Sequence, residues 1–195
     1  MKNKKVWFVT GCSKGLGHAL VNELLEQGYM VSATSRSTQA LVEAFGNESE
    51  RFLPLSVNLA DEESVKTALK KTVLKFGRVD VVVNNAGYTH LATIEEMSDK
   101  AVRELFDINV FGLLNVIRAA LPIMRKQNSG HIFNVSSLGA YNVGPLSGPY
   151  CATKHAVKAL SETLAMEVKQ FGIHVTDVKP GFMRTEFFGV SHKTD

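Results

Sequence analysis

Short apolar runs that alternate with longer segments of helical period predict an α/β fold, a doubly wound parallel sheet of about six strands with helices on both faces. Two further observations support this. The runs are rich in β-branched and aromatic residues and almost continuously apolar, as strands covered on both faces must be. A glycine-rich turn joins the first run directly to the first helical segment.

The predicted strands, in order, are Lys5 to Thr10, Met30 to Ser35, Phe52 to Val57, Val79 to Asn84, His131 to Val135 and His174 to Lys179. Helical periodicity runs between them over Leu16 to Gln27, Thr38 to Phe45, Asp61 to Phe76, Asp99 to Lys126 and Tyr150 to Phe171. Gly28, Gly46, Gly77 and Gly172 each follow a helical segment, where a left-handed residue commonly ends it. Asp61, Glu62 and Glu63 open the third helix and Lys70, Lys71 and Lys75 lie toward its end, an arrangement that suits the helix dipole and a solvated face. No linker, repeat or low-complexity tract interrupts the pattern, so residues 1–195 read as one domain.

At 45% hydrophobic and 21% charged residues the chain carries enough apolar surface for a core, which excludes disorder as the default. Lys and Arg outnumber Asp and Glu by 22 to 19, too small and too scattered an excess to predict nucleic-acid binding, although a small anionic ligand remains compatible. Cys12 and Cys151 belong to no CxxC pair or zinc-spaced cluster, so reduced thiols and no metal are expected. The basic start, Met1 to Lys5, precedes an apolar run too short for a signal peptide, and no segment reads as long and apolar enough to span a membrane. A soluble cytoplasmic protein, not associated with membrane, is the expectation.

The first strand leads into Thr10-Gly11-Cys12-Ser13-Lys14-Gly15-Leu16-Gly17, a GxxxGxG spacing rather than GxGxxG. Such glycines either shape a structural turn or bring the backbone close to a pyrophosphate, held by the unpaired N–H groups of the following helix. The second strand ends Thr34-Ser35-Arg36, with no acid to hold the free 2′-hydroxyl of NAD. Lys14 and Arg36 are either ordinary surface charges or a pair of cations suited to a 2′-phosphate; their joint placement favours NADP(H) over NAD(H).

Asn84-Asn85-Ala86-Gly87 follows the fourth strand, and Tyr150-Cys151-Ala152-Thr153-Lys154 opens a late helix. With the TGxxxGxG of Thr10 to Gly17, Asn109 in a long helix, Ser137 after the fifth strand, and Pro180-Gly181 leading to Thr185, the order of motifs resembles the short-chain dehydrogenase/reductase family from about Val6 to Thr185. The resemblance implies a Rossmann-type fold and an oxidoreductase that interconverts a carbonyl and an alcohol. It implies cofactor contacts from Gly11, Ser13, Lys14, Gly15, Leu16 and Gly17, from Ser35 and Arg36, and from Asn58 and Leu59 near the adenine. Asn85, Ala86 and Gly87 would follow along the adenosine ribose and backbone, and Pro180, Gly181, Met183 and Thr185 would lie near the nicotinamide. Asn58 departs from the Asp often found in the family, and its amide can still meet the adenine edge. The NNAG segment serves either the cofactor or the security of the central strand.

Hydride transfer belongs to the nicotinamide, which leaves the protein one proton to handle. Tyr150 is the expected proton donor in reduction and acceptor in oxidation. Lys154 lies one helical turn away on the same face, where its charge would favour the phenolate. By the resemblance Lys154 also holds the nicotinamide ribose, Ser137 hydrogen-bonds the substrate oxygen, and Asn109 holds a water on the proton path. The plainer alternatives are an exposed Tyr–Lys helix pair, a strand-ending serine and a helix-interior asparagine. His90, His155 and Cys151 read as pocket-wall, surface or packed residues rather than as bases, ligands or nucleophiles.

Substrate selection is expected from Leu138 to Pro149, from Tyr88, Thr89 and His90, and from residues after Thr185. Leu138, Tyr141, Val143, Leu146, Phe187 and Phe188 either line an apolar pocket or belong to the core. Only ten residues follow Thr185, whereas the family continues through a substrate-covering segment and a seventh strand. The expectation is therefore a C-terminally short domain whose sixth strand is a sheet edge, active as a homo-oligomeric reductase or, alternatively, a nucleotide-binding remnant with weak or no turnover.

Overall fold

The computed structural model describes residues 4–181 and residue 183. Strands β1 (Val6–Val9), β2 (Met30–Ser35), β3 (Phe52–Ser56), β4 (Val81–Asn84), β5 (Gly130–Val135) and β6 (Ile173–Val178) form one sheet in the order β3-β2-β1-β4-β5-β6. Every pairing is parallel. Among the described residues β6 pairs with β5 alone and is an edge, as expected. The sheet is the doubly wound, Rossmann-type arrangement. Its strand order reverses between β1 and β4, the place where such sheets leave a crevice at the carboxyl ends of the strands.

Helices α1 (Gly15–Glu26), α2 (Thr38–Phe45), α3 (Glu62–Phe76), α4 (Asp99–Phe106), α5 (Leu113–Gln127) and α6 (Gly148–Val168) connect the strands. Local chemistry sets their ends. The Ser37, Asp61 and Ser98 side chains accept from the first-turn amides of α2, α3 and α4. All four glycines expected to end helical segments adopt positive φ.

One sheet face packs Phe8, Leu53, Leu55, Val82 and Ile132 against Val65 and Leu69 of α3, Val116 and Ile117 of α5, and Val157 and Leu164 of α6. The other packs Val9, Val31, Ala33, Val81 and Val83 against Val21 and Leu24 of α1 and Leu41 of α2. A fully buried side chain of this kind contributes about 1.5–3 kcal/mol, which is why the apolar runs read so clearly as strands.

Two expectations are corrected here. The helix expected to run unbroken from Asp99 to Lys126 is α-helical only at its ends. Asp107–Gly112 is a π-helical segment between α4 and α5. The whole span, Asp99–Gln127, is also long and apolar enough by length and composition to cross a membrane, contrary to the expectation. Its apolar side is used within the fold, since Leu105, Val110, Leu113, Val116, Ile117, Ala120 and Met124 are buried.

Candidate active site

Because all six strands run parallel, the segments that follow them emerge on one edge of the sheet. That edge gathers Gly11 to Lys14 after β1, Arg36 after β2, Asn58 and Leu59 after β3, Asn85 to Gly87 after β4, Ser137 after β5, and Pro180 and Gly181 after β6. Of the residues anticipated from sequence, Thr185 lies outside the described set, as do Phe187 and Phe188.

The glycine loop is fastened to its neighbours by backbone and short side chains. The Cys12 amide donates to Thr34 O at 2.9 Å, tying the loop to the end of β2. The Thr10 hydroxyl accepts from the Asn85 and Ala86 amides at 3.1 and 3.0 Å, and the Asn85 side chain donates to Thr10 O and Gly11 O at 2.8 and 3.0 Å. Asn85 thus secures the loop to β4, the structural role left open for the NNAG segment. Gly11 has φ +70° and lies so close to Ala86 that an added Cβ would come within 2.8 Å of the Ala86 Cα. A Cβ on Gly17 would stand 2.4 Å from Gly11 O and 2.5 Å from Asn85 Nδ2. These glycines let helix, loop and strand meet without a side chain between them.

Whereas α2, α3 and α4 each carry a side-chain cap, α1 starts with none: Lys14 occupies the cap position in extended conformation. Its first amides and the positive end of its dipole lie at the crevice edge. Ser35 accepts from the Ser37 amide at 3.1 Å, and the Ser56 hydroxyl donates to Arg36 O at 3.0 Å, fixing the turn that leaves Arg36 exposed. Asn58 is exposed and accepts from the Ala60 amide, while Asn115 of α5 holds Leu59 O at 2.8 Å.

Ser137, Tyr150 and Lys154 come together beside this cradle, which excludes the exposed helix pair considered from sequence. Ser137 caps a 3-10 turn, Leu138–Ala140, by accepting from the Gly139 amide at 3.0 Å. Tyr150, in the first turn of α6, is 9% exposed and Lys154 only 4%. Burial pushes the Tyr150 phenol above its ordinary pKa, and a hydrogen bond with Ser137 works against that rise. The Lys154 ammonium stands 5.8 Å from the Tyr150 ring centroid and donates to Val135 O at 2.9 Å. Burial lowers its own pKa from 10.5 to about 8, against the pull of Asp177.

Asn109 sits in the π-helical segment and is buried. Its Oδ1 accepts from the Tyr88 amide at 3.1 Å, and its Nδ2 donates to Tyr88 O at 2.9 Å and to Thr153 Oγ1 at 3.1 Å. Thr153 in turn donates to Tyr150 O at 2.7 Å. The asparagine therefore joins the loop after β4 to the helix carrying Tyr150, and its amide hydrogens are both engaged. A π-helical turn of this kind is frequent at functional sites. Gly87 completes the contact, because a Cβ there would approach Asn109 Oδ1 to 3.0 Å and Lys154 Nζ to 3.5 Å.

The Leu138 amide donates to Pro180 O at 3.3 Å, which sets the segment after β6 against the Ser137 turn. Met183 is 44% exposed. Leu138, Tyr141, Val143 and Leu146 are exposed around this mouth, so the core alternative for them is excluded. His155 is exposed, with its ring Nδ1 2.9 Å from Cys151 O, and Cys151 is a buried free thiol, both in keeping with packing and surface roles. Thr10 and Thr153 were not singled out from sequence. A small β-branched hydroxyl residue at a strand end or inside a motif offers no distinct signal beyond its position.

The family model for short chain dehydrogenases matches residues 5–195. A curated relative, an oxidoreductase of Botryotinia fuckeliana named BOA17, is 42% identical over 190 residues, which cover 96% of this chain and 69% of that protein. A 3-ketoacyl-(acyl-carrier-protein) reductase from Brucella melitensis, complexed with NADH, superposes with TM-score 0.91 at 26% identity, covering 97% of this chain and 80% of the other. ElxO with NADP bound superposes with TM-score 0.88 at 34% identity, covering 94% and 75%. The chain spans 58 to 69% of the length of the first curated relatives it matches. With the family model matched over residues 5–195 and a 42% identical relative over nearly the whole chain, the chain belongs to the short chain dehydrogenase family.

Proposed function

We propose that the chain is an NADP(H)-preferring oxidoreductase that interconverts a small-molecule carbonyl and its alcohol, with Tyr150 as proton donor in reduction and acceptor in oxidation. The observation that carries this reading is the cluster of Ser137 with the buried Tyr150 and Lys154, beside a glycine cradle at the strand-order reversal. The fit to a dinucleotide rests on the crowded Gly11 and Gly17 positions and on the uncapped start of α1. NADH- and NADP-bound relatives of the same fold support a nicotinamide cofactor. A bound nicotinamide supplies or accepts the hydride.

The chain's own residues then have three tasks. The backbone of Gly11 to Gly17 and the α1 dipole receive the pyrophosphate. Arg36, and Lys14 across the loop, favour a 2′-phosphate at a strand end that offers no carboxylate to a free hydroxyl. Ser137 and Tyr150 hold the substrate oxygen, and the raised pKa of Tyr150 keeps its proton in place near neutrality, ready to be donated as negative charge develops on that oxygen. Exposed apolar residues at Phe111 and Met166, on the π segment and α6, support the reading that copies of the chain associate.

The test is NADPH oxidation, followed by absorbance, over a panel of ketones and aldehydes, with Tyr150→Phe as control. Turnover lost in the variant while NADPH binding is kept supports the assignment; equal turnover in the two proteins overturns it.

A further inference from the structure

Three strands of the sheet carry a polar residue at, or one place before, their last position. These are Asn84 of β4, Asn134 of β5 and Asp177 of β6, and they are register partners in a row. Register partners on parallel strands project from the same face. Asn84 donates to Asn134 Oδ1 at 2.9 Å, and Asn134 donates to Ser161 of α6 at 2.9 Å, so the row lies under α6. Asn134 is satisfied by its neighbour and by the helix, whereas Asn84 Oδ1 is buried without a hydrogen-bond partner among the described residues. Asp177 differs, for it brings a full charge to the row with its side chain only 9% exposed. Neither of its oxygens receives a directed hydrogen bond, although Lys179 Nζ approaches Oδ2 to 2.6 Å.

A second buried charge lies on α6, the helix that covers this row. Lys154 is 4% exposed, and its donor contact is with Val135 O, one residue beyond Asn134 on β5. One carbonyl is poor solvation for a buried ammonium, which needs an opposing charge to stay ionised. The groups around it can be named. On α6 itself Tyr150 is one turn back, while Lys158 is directed at Tyr141, 4.3 Å from the ring, with Glu162 4.0 Å away. The loop after β4 contributes Gly87, and the π segment contributes the neutral Asn109. The end of β6 contributes Asp177, and beyond it Lys179, 26% exposed and 5.3 Å from the Tyr141 ring.

We infer that Asp177 is a positioning residue for Lys154, its carboxylate supplying from β6 the counter-charge that keeps the buried ammonium protonated, with Lys179 moderating that charge from the solvent side. The inference rests on the proposed role of Lys154. The direction of the interaction agrees, since burial drives the Lys154 pKa down and Asp177 draws it up. A residue pulled to about 8 by its surroundings sits close to the working pH, where a modest change in a neighbouring charge alters the fraction ionised.

The experiment follows the Lys154 amine by NMR in the lysine-labelled 195-residue chain without nucleotide, the signal being identified by its loss in Lys154→Met. Asp177→Asn removes the counter-charge at constant shape and should increase the amine's acid dissociation constant by roughly threefold to tenfold. Lys179→Gln removes the moderating cation and should shift it in the opposite direction. The alkaline limb of kcat/KM for NADPH-dependent carbonyl reduction should follow the same order, to lower pH in the first variant and higher pH in the second. A structural role alone would not move the two in opposite senses. Should Asp177→Asn fail to fold, Lys179→Gln carries the test by itself. An unchanged Lys154 titration in a folded variant, or shifts of the same sign in both, overturns the inference. Opposite shifts in a chain with no turnover support the counter-charge and overturn the reductase reading alone.

Discussion

Replacing Lys154 by Met keeps most of the apolar stem and removes a buried ammonium, so its effect on stability can be worked out with sign and size. In the folded chain the group titrates at about 8, against 10.5 for the free side chain. Between those values the unfolded chain binds more protons than the folded one, so stability rises with pH. The cost of burying the charge is fully present below about pH 8 and is relieved as pH approaches 10.5. A difference of about 2.5 pH units, at about 1.36 kcal/mol each, makes that cost about 3 kcal/mol. Loss of the hydrogen bond to Val135 O returns about 1 kcal/mol of it. Lys154→Met is therefore expected to be more stable than the parent by about 2 kcal/mol at pH 7, with the advantage fading between pH 8 and 10.5. Urea denaturation of both proteins across that range measures the difference directly and cancels the titration of other groups. A stability difference that does not change with pH would refute the reasoning. The same variant should lose NADPH affinity and turnover together, so that a more stable protein is a less active one.

Tyr150→Phe should retain NADPH affinity in a fluorescence titration and lose carbonyl reduction by at least about 100-fold, the contribution usual for a positioned general acid; full activity would remove the proton-donor role. Ser35→Asp places a carboxylate at the end of β2 and should shift the ratio of NADPH to NADH affinity toward NADH by about tenfold or more, whereas an unchanged ratio would take Ser35 out of the cofactor assignment. Gly17→Ala forces a Cβ to within 2.4 Å of Gly11 O and should cost about 1–3 kcal/mol in urea denaturation. That variant should also bind neither nucleotide, and parental stability in it would mean that the contact between α1 and the loop is not tight.

The strands were legible because burial on both sheet faces demands continuous apolar runs, and β2 and α2 fall on their predicted limits. Helix ends were legible where capping chemistry is local, as at Asp61 and Gly77. The π-helical segment at Asp107–Gly112 was not. Its residues have ordinary helix-compatible character, and the extra residue per turn is favoured by tertiary contacts, here the pairing of Asn109 with the Tyr88 backbone and Thr153. Ser137, Tyr150 and Lys154 were found by motif, but the direction in which Lys154 turns is set by the Val135 carbonyl on a distant strand, which no local spacing encodes. The row of Asn84, Asn134 and Asp177 was missed although it left a trace. Each is a polar residue near the end of a strand, and only the strand register shows that they are neighbours.

The most direct test of the central claim is a calorimetric titration of the 195-residue chain with NADPH and with NADH. Saturable, NADPH-selective binding that weakens in Arg36→Ala is the predicted result, and a folded protein that binds neither nucleotide would contradict the account.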